Sequence, residues 1–219
     1  MKKYILILCC LLAAWSCKLD GSYYVENTQD FVTLIDGVLA NDNGVIYTLQ
    51  SVASDKVPVP AVNGQRYFLV FDILDANLNI LLKNSLTVPV MPALPAGEVV
   101  PPYDDPVNVG IYNIGPKYLN LGLTYYRAKN SDFAHTFQVQ YAREAATNEL
   151  NLYLYHSGNH ENPAEVEDAS TLETAVQMLS IPYGIYGWDP SGITLTVHIL
   201  QKDGSGNWTV VQQTYGGNQ

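Results

Sequence analysis

Cysteine is scarce in this chain, and its positions decide which chemistry is excluded. The 219 residues contain three cysteines, Cys9, Cys10 and Cys17, all close to the first residue. If residues 1–16 are removed, a single thiol remains and no disulfide can form within the chain. Disulfide scaffolding, thiolate catalysis and cysteine-ligated metal are therefore excluded together.

Basic side chains are also few. Lys and Arg number 11 against 21 Asp and Glu, which gives a net charge of −10. Loss of Lys2 and Lys3 with residues 1–16 changes that charge to −12. Proteins bind phosphate backbones through clusters of Lys and Arg, so we do not expect a nucleic-acid partner.

A long hydrophobic run is missing as well. The apolar run from Tyr4 to Ala14 follows two lysines and is too short to span a bilayer, which is typical of a signal peptide in residues 1–16. Ser16-Cys17 resembles a lipobox, so we expect lipid attachment at Cys17 and a tether over residues 17–27. The alternative is an ordinary signal peptide cleaved nearby, with Cys17 incidental.

The lipid anchor implies a location. We expect the protein on the outer membrane or the cell surface, because Lys18 and Asp20 directly after Cys17 resemble a surface-export tag. A periplasm-facing lipoprotein is the alternative. The membrane is then a partner through the anchor.

Proline divides the remaining chain. Half of the 12 prolines lie between Pro89 and Pro106, and such a stretch neither forms a helix nor donates a full set of sheet hydrogen bonds. We interpret residues 91–106 as a Pro-rich linker. Residues 28–90 are then one domain and residues 107–219 a second.

The first domain is predicted to be a small OB-like β-barrel. Asn41-Asp42-Asn43-Gly44 is a strong turn signal between two strands. Closure would remove the free edges of so small a sheet. The predicted strands are Phe31–Leu39, Gly44–Gln50, Arg66–Leu74 and Leu78–Val88.

The second domain is predicted to be an immunoglobulin-like antiparallel β-sandwich, which makes the whole chain all-β. Leu150, Leu152 and Leu154 alternate with polar and aromatic residues, so one face of that strand should be core. About seven strands in this length suit a sandwich. They are Val107–Ile114, Tyr118–Arg127, His135–Ala142, Glu149–His156, Ile193–Lys202 and Trp208–Tyr215, with one more between His156 and Ile193.

Residues 170–181 permit two interpretations. Ser170 and Glu173 match a capping box, and Leu172, Val176 and Leu179 follow at helical spacing. A strand over the same residues is favoured, because the sandwich needs one there and Pro182 must end a helix.

Two stretches resemble a known family. They are Asn63–Leu74, NGQRYFLVFDIL, and Asp104–Tyr126, DDPVNVGIYNIGPKYLNLGLTYY. Together they resemble the NigD-like lipoproteins, and the resemblance implies a lipoprotein signal, an OB-like barrel and a β-sandwich. It also implies an immunity role for some members, and it brings no catalytic residues. Residues 156–172 depart from the family by being longer and more acidic.

The polar motifs do not predict an enzyme. His156 and His160, with Glu161, have metal-like spacing, but the loop around them lacks the helix that would fix ligand geometry. Asp104 and Asp105 could act as acid and base or hold a cation, but Asp-Asp-Pro more often begins a strand. No serine elbow or phosphate loop occurs. We therefore expect no catalytic residues, no bound metal and no cofactor, while metal binding by the His156–His160 loop stays open.

Tyrosine is abundant, with 16 in the chain, and this is the feature of the composition that says most about function. Tyrosine combines a large ring with a hydroxyl group, so it serves both half-buried strands and recognition surfaces. Structural use is the usual role. The candidate contact patch is the set that should face outward or lie on an irregular loop, namely Tyr153, Tyr155, Tyr183, Tyr186 and Trp188.

Two functions fit these features. The first is a non-catalytic envelope lipoprotein that binds a protein partner, with an immunity-type role as the family resemblance implies. The second is a carbohydrate-binding lipoprotein that stacks glycans on exposed Tyr and Trp. The sequence names neither the partner nor the oligomeric state.

Overall fold

The computed structural model describes residues 23–97, 105–144, 146–161, 163, 166–182, 194–202 and 208–216. Within these ranges the chain forms thirteen strands and one short 3-10 turn, Ala169–Thr171. None of the helical structure in this part of the chain has the length and hydrophobicity to cross a membrane. The all-β class expected from the sequence is confirmed.

Five strands close into a barrel. They are β1 (Val25–Ile35), β2 (Val38–Asn41), β3 (Ile46–Val52), β4 (Arg66–Ile73) and β5 (Asn79–Val88). Around the barrel they follow the order β1-β2-β3-β5-β4, with β1 paired to β4 and β3 running parallel to β5. This OB-like arrangement confirms the predicted architecture, although β1 already begins at Val25.

One predicted strand of the barrel was wrong. Phe31–Leu39 was expected to run unbroken, but the chain turns at Asp36-Gly37 and pairs Ile35 with Val38. Both turn residues have positive φ, 49° and 81°, as a two-residue hairpin requires. Asp-Gly is the sequence signal for this turn. The strand prediction ran through it because apolar, strand-forming residues lie on both sides.

β4 is buried on both of its faces. Leu69 and Phe71 are 0% exposed and belong to the barrel core. Phe68, on the opposite face, packs instead with Met178 from the second part of the chain. A strand covered on both sides marks the place where the rest of the protein packs against the barrel.

The remaining strands form two packed sheets. One has the order β13-β12-β10-β9-β6 and the other β11-β8-β7. Leucines such as Leu119, Leu121 and Leu152 fill the core between them, which confirms the predicted sandwich. The strands are β6 (Leu94–Pro95), β7 (Asn108–Ile114), β8 (Tyr118–Ala128), β9 (Thr136–Glu144), β10 (Glu149–Ser157), β11 (Leu172–Pro182), β12 (Thr194–Lys202) and β13 (Trp208–Gly216).

The sandwich differs from a purely antiparallel one. β10 and β12 run parallel, with Leu152 opposite Val197. The physical reason is the connection between them. After β10 the chain crosses to the other sheet as β11, pairs with β8, and returns to lie beside β10 in the same direction. β6 and β9 are also parallel.

Residues 170–181 adopt the favoured strand. β11 pairs with β8 along its whole length, from Leu172 opposite Ala128 to Pro182 opposite Tyr118. The polar residues before it form only a 3-10 turn, whose start is capped by Asp168 through a hydrogen bond from Ser170 N. Pairing with a long neighbouring strand outweighs the helical spacing of the apolar residues.

The predicted linker is not a free tether over its described residues. Pro89 O accepts a hydrogen bond from Ser180 N, and Met91 N donates one to Ser180 O. Ala93 is 2% exposed in the sandwich core, and Leu94–Pro95 forms the edge strand β6. Proline fits an edge strand because its missing N–H costs no sheet hydrogen bond there. Residues 98–104 of the linker lie outside the described residues, and the division of the chain at 91–106 stays a prediction.

Arg66 joins the barrel to the sandwich. Its side chain is 1% exposed, and its two terminal nitrogens donate to the carboxylate of Asp42 at 2.7 and 3.0 Å. Nε donates to Ser180 Oγ at 3.0 Å, and Nη2 donates to Asn120 Oδ1 at 3.1 Å. A charge can be buried at acceptable cost when it is paired and fully hydrogen-bonded in this way. Since Asn120 and Ser180 belong to β8 and β11, the network fixes the sandwich against the barrel.

Candidate functional site

Strand β10 separates a core face from an outer face, as predicted. Leu150, Leu152 and Leu154 are 3%, 1% and 5% exposed and lie in the core. Tyr153 and Tyr155 are half-buried on the opposite face, because successive side chains of a strand point to opposite sides. The two tyrosines of β10 therefore contribute to an accessible surface.

The outer face around these tyrosines is polar and largely uncharged. Tyr153 lies between Gln140 on β9 and His198 on β12, and Tyr155 lies opposite Gln138. Among the described side chains of this face, the charged ones are Glu144 and Glu149. They lie opposite each other at one end of the strand pair β9–β10. We call this surface the aromatic face, defined by Gln138, Asn151, Tyr153, Tyr155, Thr196 and His198. Gln140 lies in the same row but is 2% exposed, so it is not part of the accessible surface.

Contacts within the face hold Tyr153 in place. Its ring stacks on the His198 ring, with 4.4 Å between centroids and 18° between planes. His198 Nε2 in turn donates to Asn151 Oδ1 at 2.9 Å. Burial lowers the pKa of His198 and raises the pKa of the Tyr155 phenol, so both side chains favour the neutral form. A fixed, neutral aromatic group loses little conformational entropy when it binds a partner.

The other predicted members of the patch are not placed. Tyr183, Tyr186 and Trp188 lie outside the described residues, as does the predicted lipid-attachment residue Cys17. Their part in the contact patch and in the anchor stays a prediction.

The residues of the suspected metal loop point in different directions. His156 is 3% exposed and lies on the core side of β10, while the side chain of His160 is 67% exposed. Among the described residues, no three His, Cys, Asp or Glu side chains converge as metal ligands. Asp105 accepts a hydrogen bond from Gly158 N at 2.6 Å, so it stabilises the loop that follows β10. Asp104 lies outside the described residues.

His156 belongs instead to a buried cluster of rings at this end of the sandwich. Its ring stacks on Phe137, with 4.7 Å between centroids, and lies nearly coplanar with the His135 ring, with 5.2 Å between centroids. Tyr125 of β8 contacts all three rings at 4.7 to 5.4 Å. We call His135, His156 and Glu161 the histidine cluster. His156 Nδ1 is 3.2 Å from Pro106 O, and its Nε2 is 3.0 Å from His135 Nδ1.

Glu161 completes the histidine cluster. Its carboxylate accepts hydrogen bonds from Ala128 N at 2.6 Å and Ser131 Oγ at 2.8 Å, and lies 3.4 Å from His135 Nε2. Burial favours the neutral acid, but these hydrogen bonds outweigh it, so the pKa of Glu161 lies below its ordinary value. The pKa of His156 is also lowered, by burial first and by neighbouring His135 second.

Sequence reasoning found neither His135 nor Arg66 as a site residue. His135 lies 21 positions from His156 and meets it only because β9 pairs with β10, and Arg66 lies 114 positions from Ser180. Neither spacing is a recognisable motif. An arginine in a strand sequence that is mostly apolar was the available signal.

No protein-family model and no curated protein matches this chain. Two solved structures with the same fold are a NigD-like immunity protein from Bacteroides caccae and a protein of unknown function, DUF1344, from Bacteroides vulgatus. The first is 21% identical, with a TM-score of 0.60 over 88% of this chain and 97% of its own. The second is 16% identical, with a TM-score of 0.58 over 87% and 90%. The chain therefore has the fold of the NigD-like immunity protein, as the resemblance of residues 63–74 and 104–126 predicts.

Proposed function

We propose that this chain is a non-catalytic lipoprotein of the outer membrane or cell surface that binds a protein partner in an immunity-type role. The fold is shared with a protein called an immunity protein over nearly all of both chains. Cys17 after a short apolar segment supports the lipid anchor. The described polar clusters support a structural role, since Glu161, His156 and Asp105 are each in contact with a backbone group.

The observation that carries the proposal is the aromatic face of β9, β10 and β12. It presents Tyr153 and Tyr155 among uncharged Gln, Asn, Thr and His side chains, on a chain whose net charge is −10. The centre of a protein interface is depleted in charged residues and enriched in tyrosine. A face of this composition can be desolvated by a partner at a lower cost than the acidic remainder of the surface.

The stacked pair gives this face a rigid centre. Since His198 holds the Tyr153 ring and Asn151 holds His198, the ring is oriented before a partner arrives. Rigid aromatic anchors of this kind account for much of the binding energy at protein interfaces. Tyr155, two positions further along β10, extends the same row.

A photocrosslinking experiment tests the protein partner. p-Benzoylphenylalanine replaces Tyr155 in the full chain, and in a matched variant it replaces Ile46, a 55% exposed residue on the barrel. Illumination in intact cells should give one defined protein adduct from position 155 and not from position 46. Adding Tyr153→Ser should reduce that adduct strongly. Equal adducts from both positions, or an adduct unaffected by Tyr153→Ser, would contradict binding of the partner through the aromatic face.

Glycan binding is the second candidate function. The observation in its favour is that the tyrosine rings have Asn151, Gln138 and His198 beside them, which are groups that hydrogen-bond sugar hydroxyls. Isothermal titration of the full chain against a glycan panel separates the two. Saturable heats that disappear in Tyr153→Ala or in Trp188→Ala would favour the glycan, whereas their absence together with the defined adduct supports the protein partner.

A further inference from the structure

The barrel has a gap between β2 and β3. The two strands pair at two positions, of which Leu39 opposite Tyr47 is the last. The next pair in this register would be Val38 with Thr48, but from Thr48 onward β3 pairs with β5 on its other side. The strands therefore separate where their pairing ends, and an opening forms in the barrel wall.

A cavity of about 330 Å³ lies at this opening. Its lining includes Leu34 and Leu49 from the barrel core, and also Val38 and Ile46, which are 40% and 55% exposed on the outer surface. Successive side chains of a strand point to opposite sides, so one cavity contacts both sets only where two strands have separated. We call this cavity the slot, defined by Leu34, Val38, Ile46, Tyr47, Thr48 and Leu49.

The slot offers hydrocarbon surface and few polar groups. None of the described residues that line it is charged, although the chain carries a net charge of −10. The hydroxyl of Tyr47 donates to Asp30 at 2.7 Å, so its hydrogen is engaged and the ring supplies apolar surface. Thr48 has the other side-chain hydroxyl among these residues. A ligand of the slot therefore binds by burying apolar surface.

The dimensions of the slot favour a linear ligand. It extends from the outer surface, where Ile35, Val38 and Ile46 form a row of exposed apolar side chains, to the leucines of the barrel core. A volume of about 330 Å³ equals about eleven water molecules at roughly 30 Å³ each. Since a methylene group has about the size of a water molecule, the slot holds a chain of about ten carbons. A single protein side chain supplies fewer carbons in a row, so a protein segment fills the slot less well.

The walls of the slot are fixed before a ligand arrives. Pro60, which lines it, belongs to the loop between β3 and β4. The Tyr67 hydroxyl accepts a hydrogen bond from Val62 N at 3.1 Å, and Asp36 N donates to Asn63 Oδ1 at 2.7 Å. These bonds join the loop to β4 and to the β1–β2 turn, so little conformational entropy is lost on binding.

We propose that the slot binds the alkyl chain of a single-chain amphiphile whose head group has no net negative charge. The alkyl chain enters between β2 and β3 and lies against Leu34 and Leu49, while the head group stays outside Val38 and Ile46. An anionic head group is disfavoured by the protein's net charge of −10. The site is separate from the aromatic face, which lies on β9, β10 and β12 of the sandwich.

The slot lies far from the proposed anchor. The chain between Cys17 and Tyr23 spans at most about 22 Å and leads to the start of β1. Leu34 lies at the other end of this strand, about 30 Å along it. With the proposed anchor at Cys17, the membrane lies near the start of β1, and the slot at the far end stays open to a dissolved amphiphile.

Isothermal titration tests the slot in the full chain with Cys17→Ala, prepared without detergent so that no alkyl chain is already bound. The probes are alkylphosphocholines, which carry no net charge, with chains of about 6 to about 12 carbons, each below its micelle concentration. The association constant should rise about fourfold for each added methylene group and should stop rising beyond about ten carbons, when the slot is full. Decanoate, an anion with an alkyl chain of similar length, should bind more weakly.

Two matched substitutions and methyl spectra locate the binding. Thr48→Asp places a charge at an exposed position of the lining and should lower the association constant about tenfold or more, because the alkyl chain would desolvate an ion. Thr87→Asp, at an exposed position of β5, should bind as the unsubstituted barrel does. In NMR spectra, titration should shift the methyl groups of Leu34, Val38 and Leu49 and leave those of Leu152 in the sandwich core unchanged.

Three results would overturn the proposal. They are an association constant that does not depend on chain length, equal binding by Thr48→Asp and Thr87→Asp, and methyl shifts that spare the slot. Tighter binding of decanoate than of the uncharged probe would contradict the assigned head group. Circular dichroism checks the fold of each variant, and Ile46→Asp, at another exposed position of the lining, replaces Thr48→Asp if that variant does not fold.

Discussion

Arg66 in the barrel and Asn120 in the sandwich share a hydrogen bond of 3.1 Å, and both side chains also bind the carboxylate of Asp42. The three groups therefore form a closed triangle at a junction that excludes water. Such a junction makes the stability of one part of the molecule depend on the other.

Arg66→Met should destabilise the whole chain. The substitution leaves the buried carboxylate of Asp42 without its cation, and breaking a buried pair in this way costs about 3–5 kcal/mol. Urea denaturation measures the free energy of unfolding. Arg127→Met is the matched control, because the Arg127–Glu173 pair is solvent-exposed and its loss should cost less than about 1 kcal/mol. Equal losses in the two variants would contradict a structural role for the junction.

Leu152→Ala and Tyr155→Ser should differ strongly in their effect on stability. Leu152 is 1% exposed, and its truncation should cost about 2–5 kcal/mol through lost burial and a residual cavity. Tyr155 lies half-buried on the outer face, so Tyr155→Ser should cost much less. If urea denaturation finds the two equally damaging, the aromatic face is covered by other parts of the chain and is not available to a partner.

Gly158→Ala should disturb the histidine cluster. The added methyl group would lie 2.9 Å from ring atoms of His135 and His156, and relieving such overlap typically costs about 1–3 kcal/mol. Gly110→Ala is a suitable control, because its added Cβ meets its nearest neighbour, Gly122 O, at 3.9 Å. Thermal unfolding of both variants should show a clearly lower Tm for Gly158→Ala alone.

Cys17→Ala should release the protein from membranes without unfolding it. The lipid would be attached at Cys17, whereas the described strands begin at Val25. Membrane fractionation after a high-salt wash measures the release, and circular dichroism of the soluble fraction checks the fold. A Cys17→Ala protein that still pellets with membranes would exclude Cys17 as the anchor.

Limited proteolysis should cut the loop from Ser54 to Gly64 before residues 89–97. Most side chains of this loop are exposed, whereas Pro89 and Met91 are hydrogen-bonded to Ser180 and Ala93 is buried. Mass spectrometry of the first fragments identifies the site. Early cleavage within 89–97 would show that these residues detach readily from Ser180 and the sandwich core. A first cut within 98–106 would support the predicted division of the chain.

The sequence predicts features that depend on neighbouring residues. The alternation around Leu152 identified the core face of β10, and Asn41–Gly44 identified a turn, because both patterns express local backbone geometry. Features that depend on distant residues were not predicted. Arg66 meets Ser180, and His135 meets His156, only through strand pairing and sheet packing. The parallel pairing of β10 and β12 also depends on a crossover that leaves no local pattern.

The Arg66 junction also sets an order of assembly. An exported chain enters the folding compartment with its N-terminal residues first, so the barrel strands are available before β8 and β11. During that interval Arg66 and Asp42 can pair, but Asn120 and Ser180 have yet to cover them. A nascent barrel therefore keeps a hydrated, charged surface where the finished molecule has a sealed joint. The charged pair disfavours association between unfinished chains, whereas Phe68 beside it favours association until Met178 of β11 covers the ring.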